Sequence, residues 1–188
     1  MSRPARVVMV TGLQAAGKST VAPLLARRLG PPAASFDGDV LYDMIMVGNE
    51  PMTADPTGEA VRQLELRYRG AALLAQHYVD HGVDFVYSDI VLGSHVTDWL
   101  ESVRGAERHL VVLAPGIEHI AARERGRGAS SYRDWFTPGG SLEDAIRSLA
   151  IGLENTPRRG LWLDTGDLTP EDTVELILTD CMRASRYA

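Results

Sequence analysis

The chain has 188 residues, a formal net charge of −6, a pI near 5.3 and 45% hydrophobic residues. This length and composition predict that residues 1–188 form a single domain around a buried core. The acidic balance argues against a broad nucleic-acid surface, and the apolar runs are too short to span a bilayer. Because MSRPARVVMV lacks the apolar stretch and cleavage site of a signal peptide, we expect a cytoplasmic protein.

Short apolar runs alternate with segments of helical periodicity along the chain, which predicts an α/β fold with a parallel sheet. Strands are predicted at residues 6–11, 33–36, 84–88, 109–113 and 161–163. Helices are predicted at residues 21–29, 39–47, 57–81, 96–103, 117–125, 142–153 and 170–184. Two connecting stretches, residues 49–58 and 126–140, are long enough to cover a substrate or act as a lid.

The first connection contains GLQAAGKST, which fits the pattern GxxxxGK(S/T) of a phosphate-binding loop between a strand and a helix. Its glycines allow close backbone approach, so the loop amides and the helix N-terminus can surround phosphate oxygens. We expect Lys18, the only lysine in the chain, to reach the β- and γ-phosphates, and the Ser19 hydroxyl to bind magnesium. The predicted nucleotide-binding residues are Gly12, Leu13, Gln14, Ala15, Ala16, Gly17, Lys18, Ser19 and Thr20.

Acidic residues follow the second and third predicted strands, at the edge of the sheet where ligands of such folds bind. Asp37 and Asp39 are candidates to take the proton of an attacking hydroxyl or to act on magnesium through water, and Asp39 is also a candidate helix cap. Asp89 is the candidate magnesium ligand beside Ser19. Ile90, in place of a second acid, favours transfer to an acceptor over hydrolysis.

Other candidate contacts lie near later strand ends. His95 follows the third strand and is a candidate substrate contact, whereas Arg158 is equally consistent with the substrate cleft and with the surface. Thr165, in the turn after the last strand, is expected to border the nucleotide base.

A cluster of arginines bordered by glycines lies in the segment RERGRGASSYRDW. Guanidinium groups suit phosphate oxygens, and on a closing lid they would stabilise a transferring phosphoryl group while excluding water. We predict such a lid at about residues 123–140 and expect Arg123 and Arg127 to be its catalytic arginines.

The segments GLQAAGKST, FDGDVLYDM, FVYSDIVLG, RERGRG and LDT resemble, in order and spacing, the chloramphenicol phosphotransferase family of small P-loop kinases. The resemblance covers about residues 5–170 and implies a P-loop NTPase three-layer sandwich with a five-stranded parallel sheet. It also implies ATP-dependent phosphorylation of a hydroxyl on a small natural product. In the family, the aspartate at the position of Asp39 is the base on the acceptor hydroxyl. Ser88 and Asp89 stand where the family shows two acids, which leaves the magnesium arrangement open.

Other nucleotide-dependent proteins share parts of this pattern. The DGD spacing is similar to that of adenylylsulfate (APS) kinases, although Val40 replaces their asparagine, and polynucleotide 5′-kinases share the loop and an early acidic strand end. A polynucleotide or nucleoside 5′-hydroxyl kinase is therefore an alternative. A non-catalytic switch is a further alternative, although the guanine-specific NKxD motif is impossible without a second lysine. We expect ATP, or alternatively GTP, with Mg²⁺, and a small-molecule hydroxyl acceptor such as an antibiotic. We expect no membrane partner, and the oligomeric state is not predicted.

Overall fold

The structure, a computed structural model, describes residues 3–127, 131–136 and 138–187, without the side chains of residues 180 and 181. Five strands form one parallel sheet in the order β2-β3-β1-β4-β5. The strands are β1 (Arg6–Gly12), β2 (Ala33–Asp37), β3 (Asp84–Ser88), β4 (Glu107–Leu113) and β5 (Leu161–Leu163). The predicted α/β class and five-stranded parallel sheet are therefore confirmed.

Helices connect the strands and cover both faces of the sheet. They are α1 (Lys18–Arg28), α2 (Asp39–Asp43), α3 (Gly58–Asp80), α4 (His95–Ser102), α5 (Ile117–Gly126), α6 (Leu142–Glu154) and α7 (Pro170–Leu178), with short 3-10 helices at Arg133–Trp135 and Thr179–Met182. In the described residues, no helix is both long and apolar enough to cross a bilayer.

The central strand β1 shows why this sequence forms three layers. Successive strand residues point to opposite faces, and β1 is apolar on both. Val7 and Met9 belong to a core cluster with side chains of α3 and α4, whereas Val8 and Val10 pack with side chains of α1 and α7. Because β1 lies between β3 and β4, the loop after it occupies the middle of the sheet's carboxyl edge.

Two predicted helices were too long. The helix predicted at residues 39–47 ends at Asp43, because the next turn has no core to cover: Met46 and Val47 are 87% and 91% exposed, and Gly48 has a positive φ of 73°. The helix predicted at residues 170–184 ends at Leu178. Beyond it the chain turns, so that backbone groups of the tail bond to Arg108 and Leu110 in β4.

Candidate active site

The connection between β1 and α1 is a compact loop that depends on glycine at two positions. Gly12 and Gly17 have φ angles of 145° and 103°, which side chains disfavour. A Cβ atom at Gly12 would also overlap the carbonyl oxygen of Leu113 in β4, so the loop can rest directly on that strand. Ala15 has a φ of 61° despite its methyl group. Such strained non-glycine residues are concentrated at functional sites.

Three loop carbonyl groups accept hydrogen bonds from side chains around the loop. Lys18 Nζ donates to the carbonyl of Leu13 over 2.9 Å, and the hydroxyl of Tyr132 donates to that of Gln14 over 2.9 Å. Arg123 Nη1 donates to the carbonyl of Ala16 over 3.3 Å. With these oxygens engaged, an anion at the loop can meet the N-terminus of α1 and loop amides other than that of Ala16, which already donates to the carbonyl of Leu13.

A small cavity of about 130 Å³ lies against this loop, and we call it the loop cavity. Its lining combines cations, carboxylates and hydroxyl groups, and it includes Gly17, Lys18, Ser19, Asp37, Asp39, Ser88, Asp89, Arg127 and Ser131. The structure thus brings residues from the first loop, two further strand ends and the arginine-rich segment to one place. Desolvation lowers the pKa of Lys18 to about 8, although Asp89, Asp39 and Asp37 act in the opposite direction.

Asp89 follows β3 and has a fixed carboxylate. Tyr87 donates its hydroxyl to Oδ2 over 2.6 Å, and the amide of Ile90 donates to Oδ1 over 2.7 Å. Burial raises the pKa of Asp89, while these two hydrogen bonds oppose the shift. Gly38 lies directly against the carboxylate, where a Cβ atom would overlap it. Glycine between the two aspartates of DGD therefore permits the close approach of the second and third strand ends.

Asp37 and Asp39 have different local roles. Asp37 Oδ1 accepts a hydrogen bond from the amide of Asp39 over 3.1 Å. The residue that precedes α2 is Gly38, so Asp39 is not the helix cap that was considered as its alternative role. The pKa of Asp39 is raised, first by desolvation and then by the carboxylates of Asp37 and Asp89. A raised pKa makes this carboxylate a better proton acceptor than an ordinary surface aspartate.

Next to the loop cavity lies a much larger one of about 640 Å³, which we call the large cavity. Asp39 and Asp89 line both cavities and therefore stand at their junction. His95, predicted as a substrate contact, lines the large cavity with its ring 5.5 Å from the ring of Tyr68. Arg67, which the sequence analysis did not select, lines it too.

A third cavity of about 220 Å³ lies on the other side of the loop, beside the turn after β5; we call it the turn cavity. Thr165 lines it, is buried, and has a hydroxyl oxygen without a hydrogen-bond partner. Arg123 lines it as well, and its Nη2 donates to the carbonyls of Thr165 and Gly166 over 2.7 and 3.1 Å. Arg123 thus ties the loop to the turn, whereas Arg127 lines both the turn cavity and the loop cavity.

Two predictions concern residues at the margin of this arrangement. Arg158 is exposed, and its guanidinium lies 4.0 Å from the ring centre of Trp162; it does not line any of the three cavities. Within the predicted lid at 123–140, residues 128–130 and 137 lie outside the described residues. The described part of that segment includes Ser131, which lines both the loop cavity and the large cavity.

The donor set at the loop cavity is compatible with magnesium. Ser19 and Asp89 both line it and offer hydroxyl and carboxylate oxygens, the ligand type that Mg²⁺ prefers. Among the described residues no group of three or more His, Cys, Asp or Glu side chains forms a metal cluster.

No protein-family model matches the chain, and no curated protein is significantly similar to it in sequence. Solved structures share its fold. A sugar kinase from Janibacter sp. has a TM-score of 0.65 and 21% identity, with 94% of each chain covered. The Mycobacterium tuberculosis APS kinase, solved with AMPPNP and APS, has a TM-score of 0.63 and 19% identity over 94% of this chain and 96% of its own. A gluconokinase from Sinorhizobium meliloti has a TM-score of 0.55 and 18% identity over 93% of this chain and 90% of its own.

The chain therefore has the fold of the small P-loop kinases, which confirms the predicted fold class. The neighbouring structures differ in the acceptors that their names state, so the likeness does not select the chloramphenicol phosphotransferase family.

Proposed function

We propose that this protein is an ATP-dependent phosphotransferase that moves the γ-phosphate to a hydroxyl group of a small molecule. The observation that carries the proposal is the position of Asp39, which lines both the phosphate-sized loop cavity and the large cavity. A carboxylate at that junction can reach an acceptor hydroxyl on one side while a triphosphate ends on the other.

The loop cavity is the proposed site of the transferring phosphate. Loop amides, the N-terminus of α1 and Lys18 supply positive potential, and Arg127 adds a guanidinium from the arginine-rich segment. The nucleotide base of ATP is proposed to lie in the turn cavity, where Thr165 has an unpaired hydroxyl. Ser19 and Asp89 would hold Mg²⁺, which neutralises charge on the β- and γ-phosphate oxygens when it is bound.

At the γ-phosphorus the reaction forms one bond and breaks one, and a proton moves from the acceptor to the protein. The acceptor oxygen attacks the γ-phosphorus, the bond from that phosphorus to the oxygen bridging the β- and γ-phosphates breaks, and ADP leaves with the electron pair. Asp39 accepts the proton of the acceptor hydroxyl. Its raised pKa favours that proton transfer, because a more basic carboxylate holds the proton better.

The large cavity is the proposed acceptor site, and its volume of about 640 Å³ suits a small organic molecule. The resemblance of the sequence to the chloramphenicol phosphotransferase family supports a natural product, such as an antibiotic, as the acceptor. A polynucleotide acceptor is disfavoured, because Asp39, Asp89 and Asp134 line this cavity and would repel a phosphate backbone.

A transfer screen tests the proposal. The purified protein is incubated with Mg²⁺, γ-labelled ATP and a panel of hydroxylated natural products, and label is followed into each compound. Label is expected in at least one compound and not in a 5′-hydroxyl oligonucleotide. Binding of ATP without transfer to any compound would contradict the proposed function.

A further inference from the structure

Arg67 is a buried cation, and one of its two terminal nitrogens has no hydrogen-bond partner among the residues that the structure describes. It lies in the middle of α3 and is 8% exposed. Its Nη1 atom is buried and donates no hydrogen bond. The guanidinium lies 4.9 Å from the ring centre of Tyr42, a contact that supports the charge but uses none of its hydrogens. Asp89 interacts with Arg67 electrostatically, but with Nη1 unpaired the buried guanidinium remains costly for the protein unless a further group bonds to it.

The position of Arg67 suggests what that partner is. Arg67 and Tyr42 both line the large cavity, next to Tyr68. The Tyr68 hydroxyl is already engaged, because it donates to the carbonyl of Ile90 over 2.5 Å. Arg67 is therefore a strong hydrogen-bond donor in this wall that a bound molecule could satisfy, and a planar guanidinium is matched best by a carboxylate.

The remaining charges limit the ligand to a single negative group. Asp39, Asp89 and Asp134 also line the large cavity, and Arg67 is the one arginine or lysine among its described lining residues. A dianionic group such as a phosphate monoester would meet one guanidinium and three carboxylates. A monoanion placed at Arg67, away from the reacting hydroxyl, is electrostatically acceptable.

The rest of the cavity wall has more apolar than polar side chains, although polar residues such as Gln14, His95 and Asn155 also line it. The lining includes the apolar side chains of Pro51, Met52, Leu64, Leu92, Trp135 and Ile151. A sugar with a hydroxyl on every carbon would place some of its polar groups against these apolar side chains, where they find no partner. The wall fits a molecule with an apolar body and polar groups at its ends.

We propose that the acceptor is a hydroxy acid with an apolar skeleton, and that Arg67 binds its carboxylate while its hydroxyl faces Asp39. This inference rests on the proposed function, which supplies the role of Asp39, and it adds the substrate class. Arg67 is then a specificity-determining residue that holds one end of the acceptor. A neutral compound of the same shape would leave the guanidinium unpaired and bind less well.

Binding of matched acids and amides tests the inference without requiring transfer. Titration calorimetry in the presence of Mg²⁺ and AMPPNP compares tropate with tropamide and phenyllactate with phenyllactamide. The wild-type protein is expected to bind at least one acid about tenfold or more tightly than its amide. Arg67→Met should remove this preference. Arg69 is exposed and lies two residues further along α3, so Arg69→Met should retain the preference.

The outcomes separate this inference from the proposed function. An acid preference that depends on Arg67 supports a carboxylate contact at Arg67 even if no compound is phosphorylated; in that case the proposed function fails, and with it the role of the bound acid as an acceptor. Equal binding of acids and amides by the wild type, including binding of neither, would overturn the inference, as would an acid preference that survives Arg67→Met. If the methionine variant does not fold, Arg67→Lys replaces it: a weakened preference supports the paired contact, and an unchanged one contradicts it.

Discussion

Gly38 packs directly against the side chain of Asp89. A Cβ atom at position 38 would lie 2.8 Å from Asp89 Cβ and would overlap its carboxylate. The carboxylate cannot simply turn away, because Tyr87 and the amide of Ile90 hold its two oxygens. The ends of β2 and β3 are thus fitted to each other at the junction of the two proposed substrate cavities.

Replacement of Gly38 by alanine should therefore impair transfer without unfolding the protein. The φ of −63° and ψ of −24° at Gly38 are helical angles that alanine adopts easily, so the expected effect comes from displacement of Asp89. We expect kcat/KM to fall by about a hundredfold with Tm little changed. Gly58→Ala is the matched control, because a Cβ there meets no atom within 4 Å. Equal activity of the two variants would show that the Gly38 contact does not position Asp89.

The lowered pKa of Lys18 predicts a pH dependence of nucleotide binding. A phosphate favours the protonated amine, so ATP binds less well as the free protein loses that proton. The pKa of about 8 in the free protein, against an ordinary value of 10.5, places this loss above pH 8. Between about pH 8 and about pH 10, the Kd for ATP should rise by up to about tenfold per pH unit. Lys18→Met should bind ATP weakly, lack this slope and show no transfer, because no second lysine can substitute. A Kd that is flat across this range in the wild type would contradict the assigned role.

Arg123 should contribute to the stability of the loop as well as to nucleotide binding. It donates to the carbonyls of Ala16, Thr165 and Gly166, so Arg123→Ala leaves three oxygens without their donor. We expect a loss of about 1 to 3 kcal/mol in the free energy of unfolding and weaker ATP binding. Arg125→Ala removes an exposed ion pair with Glu143 from the same helix and should cost less than about 1 kcal/mol. Denaturant unfolding and ATP titration of both variants check this. A stable Arg123→Ala protein with normal ATP affinity and slow transfer would instead support a purely catalytic arginine.

The central strands β1, β3 and β4 could be predicted closely because their apolar runs are buried in a parallel sheet, where burial on both faces leaves a continuous apolar signal. The helix ends at Asp43 and Leu178 could not be predicted from the sequence, because tertiary contacts determine them. Apolar residues such as Met46 and Val47 continue the helical pattern but find nothing to pack against. The tail leaves its helical pattern to bond to β4.

In the candidate site, too, some residues could be predicted from the sequence and one could not. Lys18, Asp39 and Asp89 come together, as expected of residues that follow neighbouring parallel strands. Arg67 was not predicted from the sequence, although a signal existed: Arg67 lies four residues from both Gln63 and Ala71, on the buried face of α3. A charged residue in an apolar stripe marks either a buried pair or a ligand contact. Which of these applies depends on the opposing surface, and the helix periodicity contains no information about that surface.

The central claim is that Asp39 accepts the proton of the acceptor hydroxyl, and Asp39→Asn tests it most directly. Asparagine keeps the size of the side chain but cannot take up the proton. Single-turnover transfer of labelled γ-phosphate to an accepted hydroxyl compound should slow by about a thousandfold, while the Kd for ATP stays within about threefold of the wild-type value. Asp43→Asn, at an exposed position at the end of the same short helix, should transfer normally. Transfer by Asp39→Asn within tenfold of the wild-type rate would contradict the account.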